Sequence, residues 1–165
     1  MATKMPVPIQ FRLPEGWLPA RLAEFDATGV AFAAVHTQPA ADFTANITID
    51  GEYRPDAATL TELADDSVER LREVAESVVV AHRRGAGSAD APALTQQLTF
   101  SAVVGDARHN LVQSQVYLSM VDIEEPHRRV VIRLTLTATG AQYDHVLGDF
   151  QDFVRTVRSD TEVEA

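Results

Sequence analysis

Gln97-Leu98-Thr99-Phe100-Ser101-Ala102-Val103-Val104, Val112-Gln113-Ser114-Gln115-Val116-Tyr117-Leu118-Ser119-Met120 and Val130-Val131-Ile132-Arg133-Leu134-Thr135-Leu136-Thr137 alternate apolar with polar residues. A period of two is what an extended strand with one buried face requires. Leu98, Phe100, Ala102 and Val104 share one face of the first stretch. Val112, Val116, Leu118 and Met120 do so in the second, and Val130, Ile132, Leu134 and Leu136 in the third. The joins are short, with Gly105-Asp106-Ala107-Arg108 reading as one turn and residues 122–127, including Pro126, as the other. Short joins leave room only for antiparallel neighbours, so the three stretches predict a meander.

The opposite faces carry Gln97, Thr99 and Ser101, then Gln113, Gln115, Tyr117 and Ser119, then Arg133, Thr135 and Thr137. These groups make a surface rich in hydrogen-bonding capacity with little opposing charge. A solvated sheet face is the ordinary account of it. The functional account is a partner-binding face formed by Gln97, Thr99, Gln113, Gln115, Tyr117, Arg133 and Thr135, either a homodimer seam or a docking platform.

Upstream of the meander, Ile9-Gln10-Phe11-Arg12-Leu13 alternates as a strand does, and Pro14-Glu15-Gly16-Trp17 reads as a turn. Val30-Ala31-Phe32-Ala33-Ala34-Val35-His36 is a second strand, left through residues 38–42. Phe43, Ala45, Ile47 and Ile49 define the third, closed by Asp50-Gly51. Beyond Arg54-Pro55-Asp56, the spacing of Leu60, Ala64, Val68, Leu71, Ala75 and Val78 predicts a helix over residues 59–84. Thr59 with Glu62 matches a capping box, with Asp56 as an alternative cap. His82, Arg83 and Arg84 then fall in the last turn, opposite the negative end of the helix dipole, and Gly85 stands where the helix should stop. Residues 85–92 read as a flexible loop, since they lack the lysine and following helix of a phosphate cradle. Val146, Leu147, Phe150, Phe153, Val154 and Val157 describe a closing helix to about residue 158, and 159–165 an acidic, frayed tail. The expectation is one α+β domain over residues 1–165. Its antiparallel sheet has about six strands in the order β-β-β-α-β-β-β-α, with one long and one C-terminal helix packed on it.

A chain of 165 residues that is 45% hydrophobic can bury a core of its own. Its formal charge of -10 repels phosphate backbones and anionic membranes, so nucleic acid is not an expected partner. The absence of cysteine excludes disulfides, thiolate zinc sites and thiol nucleophiles. No signal-peptide core opens the sequence and no stretch approaches the roughly 20 apolar residues of a membrane span, which makes the cytoplasm the expected location.

Phe11-Arg12-Leu13-Pro14-Glu15-Gly16-Trp17, the long helix after the third strand, Gln113-Ser114-Gln115-Val116-Tyr117, and the closing strand with Phe150-Gln151-Asp152-Phe153 together resemble the PsbP-like superfamily. Its members include a photosystem extrinsic protein, a Ran-binding import factor, LpqN-type lipoproteins and adaptors that hold secretion effectors. The resemblance implies an antiparallel sheet with packed helices and a preference for protein partners over catalysis. The lipoprotein branch needs an export signal and a cysteine, and neither is found here.

Residues able to carry chemistry are scattered. His36, His82, His109, His127 and His145 show no zinc-site spacing, although His109 and His127 flank neighbouring strands within reach of Asp106 or Glu124. Ser101, Ser114 and Ser119 lie in strands, outside any nucleophile elbow. Asp65-Asp66 and Glu124-Glu125 are surface pairs, and Arg128-Arg129 with Arg133 either grips an anion or protects a strand. No catalytic, metal or cofactor site is assigned. The function expected is that of a non-enzymatic adaptor, a homodimer holding a protein partner through its sheet face or a helix groove. The alternatives are a small-molecule or lipid-binding domain, or an effector chaperone.

Overall fold

The structure, a computed structural model, describes residues 9–20, 30–37, 43–54, 56, 58–88, 92–104, 106–121 and 129–159. The elements are β1 (Ile9–Gln10), β2 (Trp17–Pro19), β3 (Val30–His36), β4 (Asn46–Tyr53), α1 (Leu60–Arg72), β5 (Glu76–Gly87), β6 (Pro92–Val104), β7 (Ala107–Val121), β8 (Arg129–Thr139), α2 (Gly140–Thr156) and β9 (Arg158–Ser159). The connection at 38–42, the turn at 122–127 and residues 160–165 of the expected tail lie outside the described residues.

The architecture is α+β, with seven strands in the order β2-β3-β4-β8-β7-β6-β5. All are paired antiparallel. β6, β7 and β8 form the expected meander. β1 pairs instead with β9, joining residues 9–10 to residues 158–159. The Gly16 turn has φ +91, a region open to glycine, and it starts the short strand β2 where the sequence suggested a turn alone.

The long helix is the main correction. α1 ends at Arg72, and residues 76–87 form an additional strand. The amides of Glu73 and Val74 donate to the carbonyls of Arg70 and Leu71, tightening the last turn, and Ser77, the second residue of β5, has φ 57 beside a bulge in the β5–β6 pairing. Ala75 and Val78 keep a helical spacing by coincidence. The β-branched run Val78-Val79-Val80 resists a helix and suits a strand, where pairing with β6 decides the matter. His82, Arg83 and Arg84 therefore lie on a strand, and the cations at the α1 dipole are Arg70 and Arg72. The expected loop at 85–92 shrinks, because β5 runs to Gly87 and β6 begins at Pro92.

The chain order explains the layers. After β4 the chain crosses one face of the sheet as α1, enters at the far edge as β5, and meanders back until β8 lies beside β4. α2 then returns over the opposite face. Ile47, Ile49, Ile132, Leu134, Leu136 and Ala138 meet Tyr143, Val146, Phe150 and Phe153 of α2 in the main core. Leu60, Leu63 and Ala64 of α1 meet Leu94, Tyr117 and Val131 on the other face. Val68 meets Leu98, Phe100, Leu111 and Phe43. Both helices open with capping boxes, Thr59 with Glu62 as expected and Thr139 with Gln142 at a start earlier than the apolar spacing indicated.

Candidate functional site

Cross-strand register divides the expected partner-binding face. Gln96 lies opposite Gln115 and Leu98 opposite Gln113, so β6 turns its apolar residues to the side on which β7 shows its polar ones. Gln113, Gln115, Tyr117, Arg133 and Thr135 share the α1 side of the sheet. Gln97 and Thr99 point to the α2 side. The single seven-residue platform is thus corrected to two groups on opposite faces. An alternating strand has two usable faces, and only its neighbours decide which one turns inward.

The α1-side group lies beneath a helix. Arg133 donates from Nε to Asp50 Oδ2 at 2.9 Å and from Nη1 to Ser67 Oγ on α1 at 2.9 Å. Gln115 Nε2 donates to the same hydroxyl at 3.3 Å and to Gln113 Oε1 at 2.6 Å. Tyr117 Oη and Gln96 Nε2 both donate to Gln115 Oε1, at 2.8 and 2.7 Å. Arg83 of β5 donates to Gln96 Oε1 through Nε and Nη2, and through Nη1 to Asp65 of α1 at 2.6 Å. A continuous polar chain thus runs from Asp50 on β4 to Asp65 on α1. Burial lifts the Asp50 carboxyl above its ordinary value of 3.8, outweighing the opposing pull of Arg133. Thr135 is buried and its Oγ1 has no hydrogen-bond partner.

Sequence reasoning missed Ser67, Arg83, Gln96, Asp50 and Asp65 as members of this chain. The glutamine pair Gln96-Gln97 was the available signal, since one of two adjacent strand residues must face inward.

The α2-side group is open. α2 packs mainly on β8 and part of β7 and touches β6 through Tyr143, and among the described residues no helix covers the β5–β6 margin of that face. There Thr99, Ser101, Arg108, Asn110, Val112 and Gly140 are among the residues that line an open groove of about 500 Å³. Beside it the Tyr143 hydroxyl meets Gln97 Oε1 at 3.5 Å. Burial raises the Tyr143 phenol above its ordinary value, so it stays a protonated donor. A second open groove, about 530 Å³, lies between α1 and β5 and is lined by Asp65, Val68, Glu69, Arg72, Val80 and Arg83.

The scattered candidates find structural occupations. His36 packs edge-on against Trp17, whose indole Nε1 donates to Asp149 of α2 at 3.0 Å. His109 packs on Phe43, and its Nε2 is buried without a hydrogen-bond partner. His82 and His145 are exposed on β5 and α2, and His127, Glu124, Glu125 and Arg128 lie outside the described residues. Arg129 is spent on the carbonyls of Arg54, Asp56 and Ala58, and Arg133 on Asp50 and Ser67. Among the described residues no three His, Cys, Asp or Glu side chains converge as a metal site. No helix among them is long and apolar enough to cross a membrane.

No protein-family model matches the chain, and no curated protein matches its sequence. Solved structures do match. LpqN of Mycobacterium tuberculosis, involved in cell envelope biogenesis, superposes with a TM-score of 0.64 at 13% identity, over 92% of this chain and 84% of its own. The solution structure of CyanoP, the PsbP of Synechocystis, gives 0.57 at 15% identity over 92% and 86%. The Ran-binding protein Mog1p of Saccharomyces cerevisiae gives 0.57 at 15% identity over 92% and 89%. At such identities the likeness is one of architecture. The overall architecture is shared with all three, and the chain has the PsbP-like fold.

Proposed function

We propose that the chain is a non-enzymatic adaptor domain that holds a protein segment along the uncovered β5–β6 margin of its sheet, on the side of α2. The observation that carries this reading is the asymmetry of cover. Gln113, Gln115, Tyr117 and Arg133 on the α1 side are held in an internal network, while on the α2 side Thr99 and Ser101, the latter accepting from Arg108 at 3.3 Å, line an open groove with Gln97 nearby. A groove of this kind suits an extended peptide better than an enclosed small ligand, which a concave, largely apolar cavity would hold. Mog1p, a Ran-binding protein, is an example of this fold holding a protein partner. A homodimer and a cytoplasmic location belong to the same proposal.

The test places a photo-crosslinking residue at Thr99 and, as a control, at exposed Arg155 of α2 in the native host. A discrete adduct at Thr99 without its counterpart at Arg155 is the expected result. Adducts that do not distinguish the two positions, or none, reject the reading.

A further inference from the structure

Among the described residues, β5 is a terminal strand of the sheet, twelve residues long, with a neighbour on one side only. Such an edge offers a row of unpaired amides and carbonyls, and soluble proteins usually shield it with proline, charged side chains, bulges or cover. β5 contains no proline, and its charges Glu76, Arg83 and Arg84 and its two bulges stand on either side of Val79 and Val80, which carry none of these devices. Five of the seven large apolar side chains exposed among the described residues gather at this edge and its corner: Val74, Val79, Val80, Val103 and Val104. Val79 and Val80 lie between two bulges of the β5–β6 pairing and are 54% and 36% exposed. Exposed apolar residues are ordinary when scattered, and a cluster along an open strand is a mark of association.

We propose that β5 is the seam of a symmetric dimer, in which two copies pair antiparallel about a two-fold axis at Val80 and extend the sheet from one molecule into the next. This rests on the homodimer named above and supplies its geometry. The strand is complementary to itself in charge. Glu76 stands four residues before Val80 and Arg84 four after, so the axis brings the Glu76 carboxylate of each copy, which accepts from Arg108 Nη1 at 2.8 Å within its own copy, beside the Arg84 guanidinium of the other. Both residues face the α2 side, through their pairing with Ser101 and Thr95. A two-fold seam of this kind closes on itself and uses up the edge in both copies.

The absence of cysteine provides a direct test. A Val80→Cys variant carries a single thiol at the axis, where directly opposed strand residues come within disulfide range. Mild oxidation should convert it to a covalent dimer, while Leu18→Cys on β2, at the opposite edge of the sheet and 58% exposed, should stay monomeric on the same gel. In sedimentation velocity the native chain should be dimeric, and Arg84→Glu should weaken the dimer about tenfold by setting like charges opposite each other. Circular dichroism melts check that each variant is folded. A native chain that is monomeric at all concentrations overturns the proposal, as does a dimer that Arg84→Glu leaves intact or that cross-links equally through Leu18→Cys. Because crosslinking at Thr99 reports on the adaptor reading separately, the two can fail independently.

Discussion

The two helices hold the same sheet by different means. α2 lays Tyr143, Val146, Phe150 and Phe153 on Ile47, Ile49, Ile132, Leu134 and Leu136, an apolar contact with little directional demand. α1 also buries Leu60, Leu63 and Ala64, but its middle sits on a polar chain in which Ser67 receives from Arg133 and Gln115 while Asp65 receives from Arg83. Apolar packing tolerates sliding. A hydrogen-bonded chain has one good alignment, and a broken link leaves a buried group without a partner. The α2 side should thus dominate stability and the α1 side should fix the position of its helix.

Truncating the α2 contact should have the largest effect. Phe150→Ala, at a side chain 1% exposed, is expected to cost about 3–5 kcal/mol in denaturant unfolding, from lost transfer energy and the cavity left behind. A loss below about 1 kcal/mol would dissolve the contrast. On the α1 side, Arg133→Met should cost about 2–3 kcal/mol by stranding Asp50 and removing a donor to Ser67, a figure reduced because the two side chains keep 26% and 22% of their surface exposed.

Gln96 and Gln115 sharpen the comparison by their coupling. Gln96→Leu or Gln115→Leu alone should cost about 1–3 kcal/mol, and the double variant should lose distinctly less than the sum, since it removes both ends of their bond. Additive losses would mean that the polar chain is merely a set of independent contacts. Thr135→Val is expected to be neutral or to stabilise by up to about 1 kcal/mol, because the buried Oγ1 has no partner to lose.

The smallest effect concerns pH. Burial holds Asp50 above 3.8, so the folded state binds its proton more tightly than the unfolded chain does. Its stabilising contribution is complete below that ordinary value and is lost as pH rises through the raised one. In that window the native chain should lose stability with rising pH relative to Asp50→Asn, a trend opposite to that of a carboxylate depressed by a salt bridge. Unfolding curves for the two proteins across the acid range decide the sign.

The residues themselves were enough to specify the α+β class, the meander, the β3 stretch, the alternating start of β4 but not its run past Asp50-Gly51 to Tyr53, the Thr59 cap and the existence of a closing apolar helix, because each depends on a local period or a local hydrogen bond. Three matters were decided only by tertiary structure. The end of α1 turned on whether Val78-Val79-Val80 found a strand to pair with, and the apolar spacing before it suits either outcome. The faces of Gln97 and Thr99 turned on register, since an alternating strand looks the same from either side until its neighbours are placed. The polar residues of β7 and β8 became an internal network because α1 has to cross that face to carry the chain from β4 to β5, and a connection of that length cannot be seen in the strands it covers.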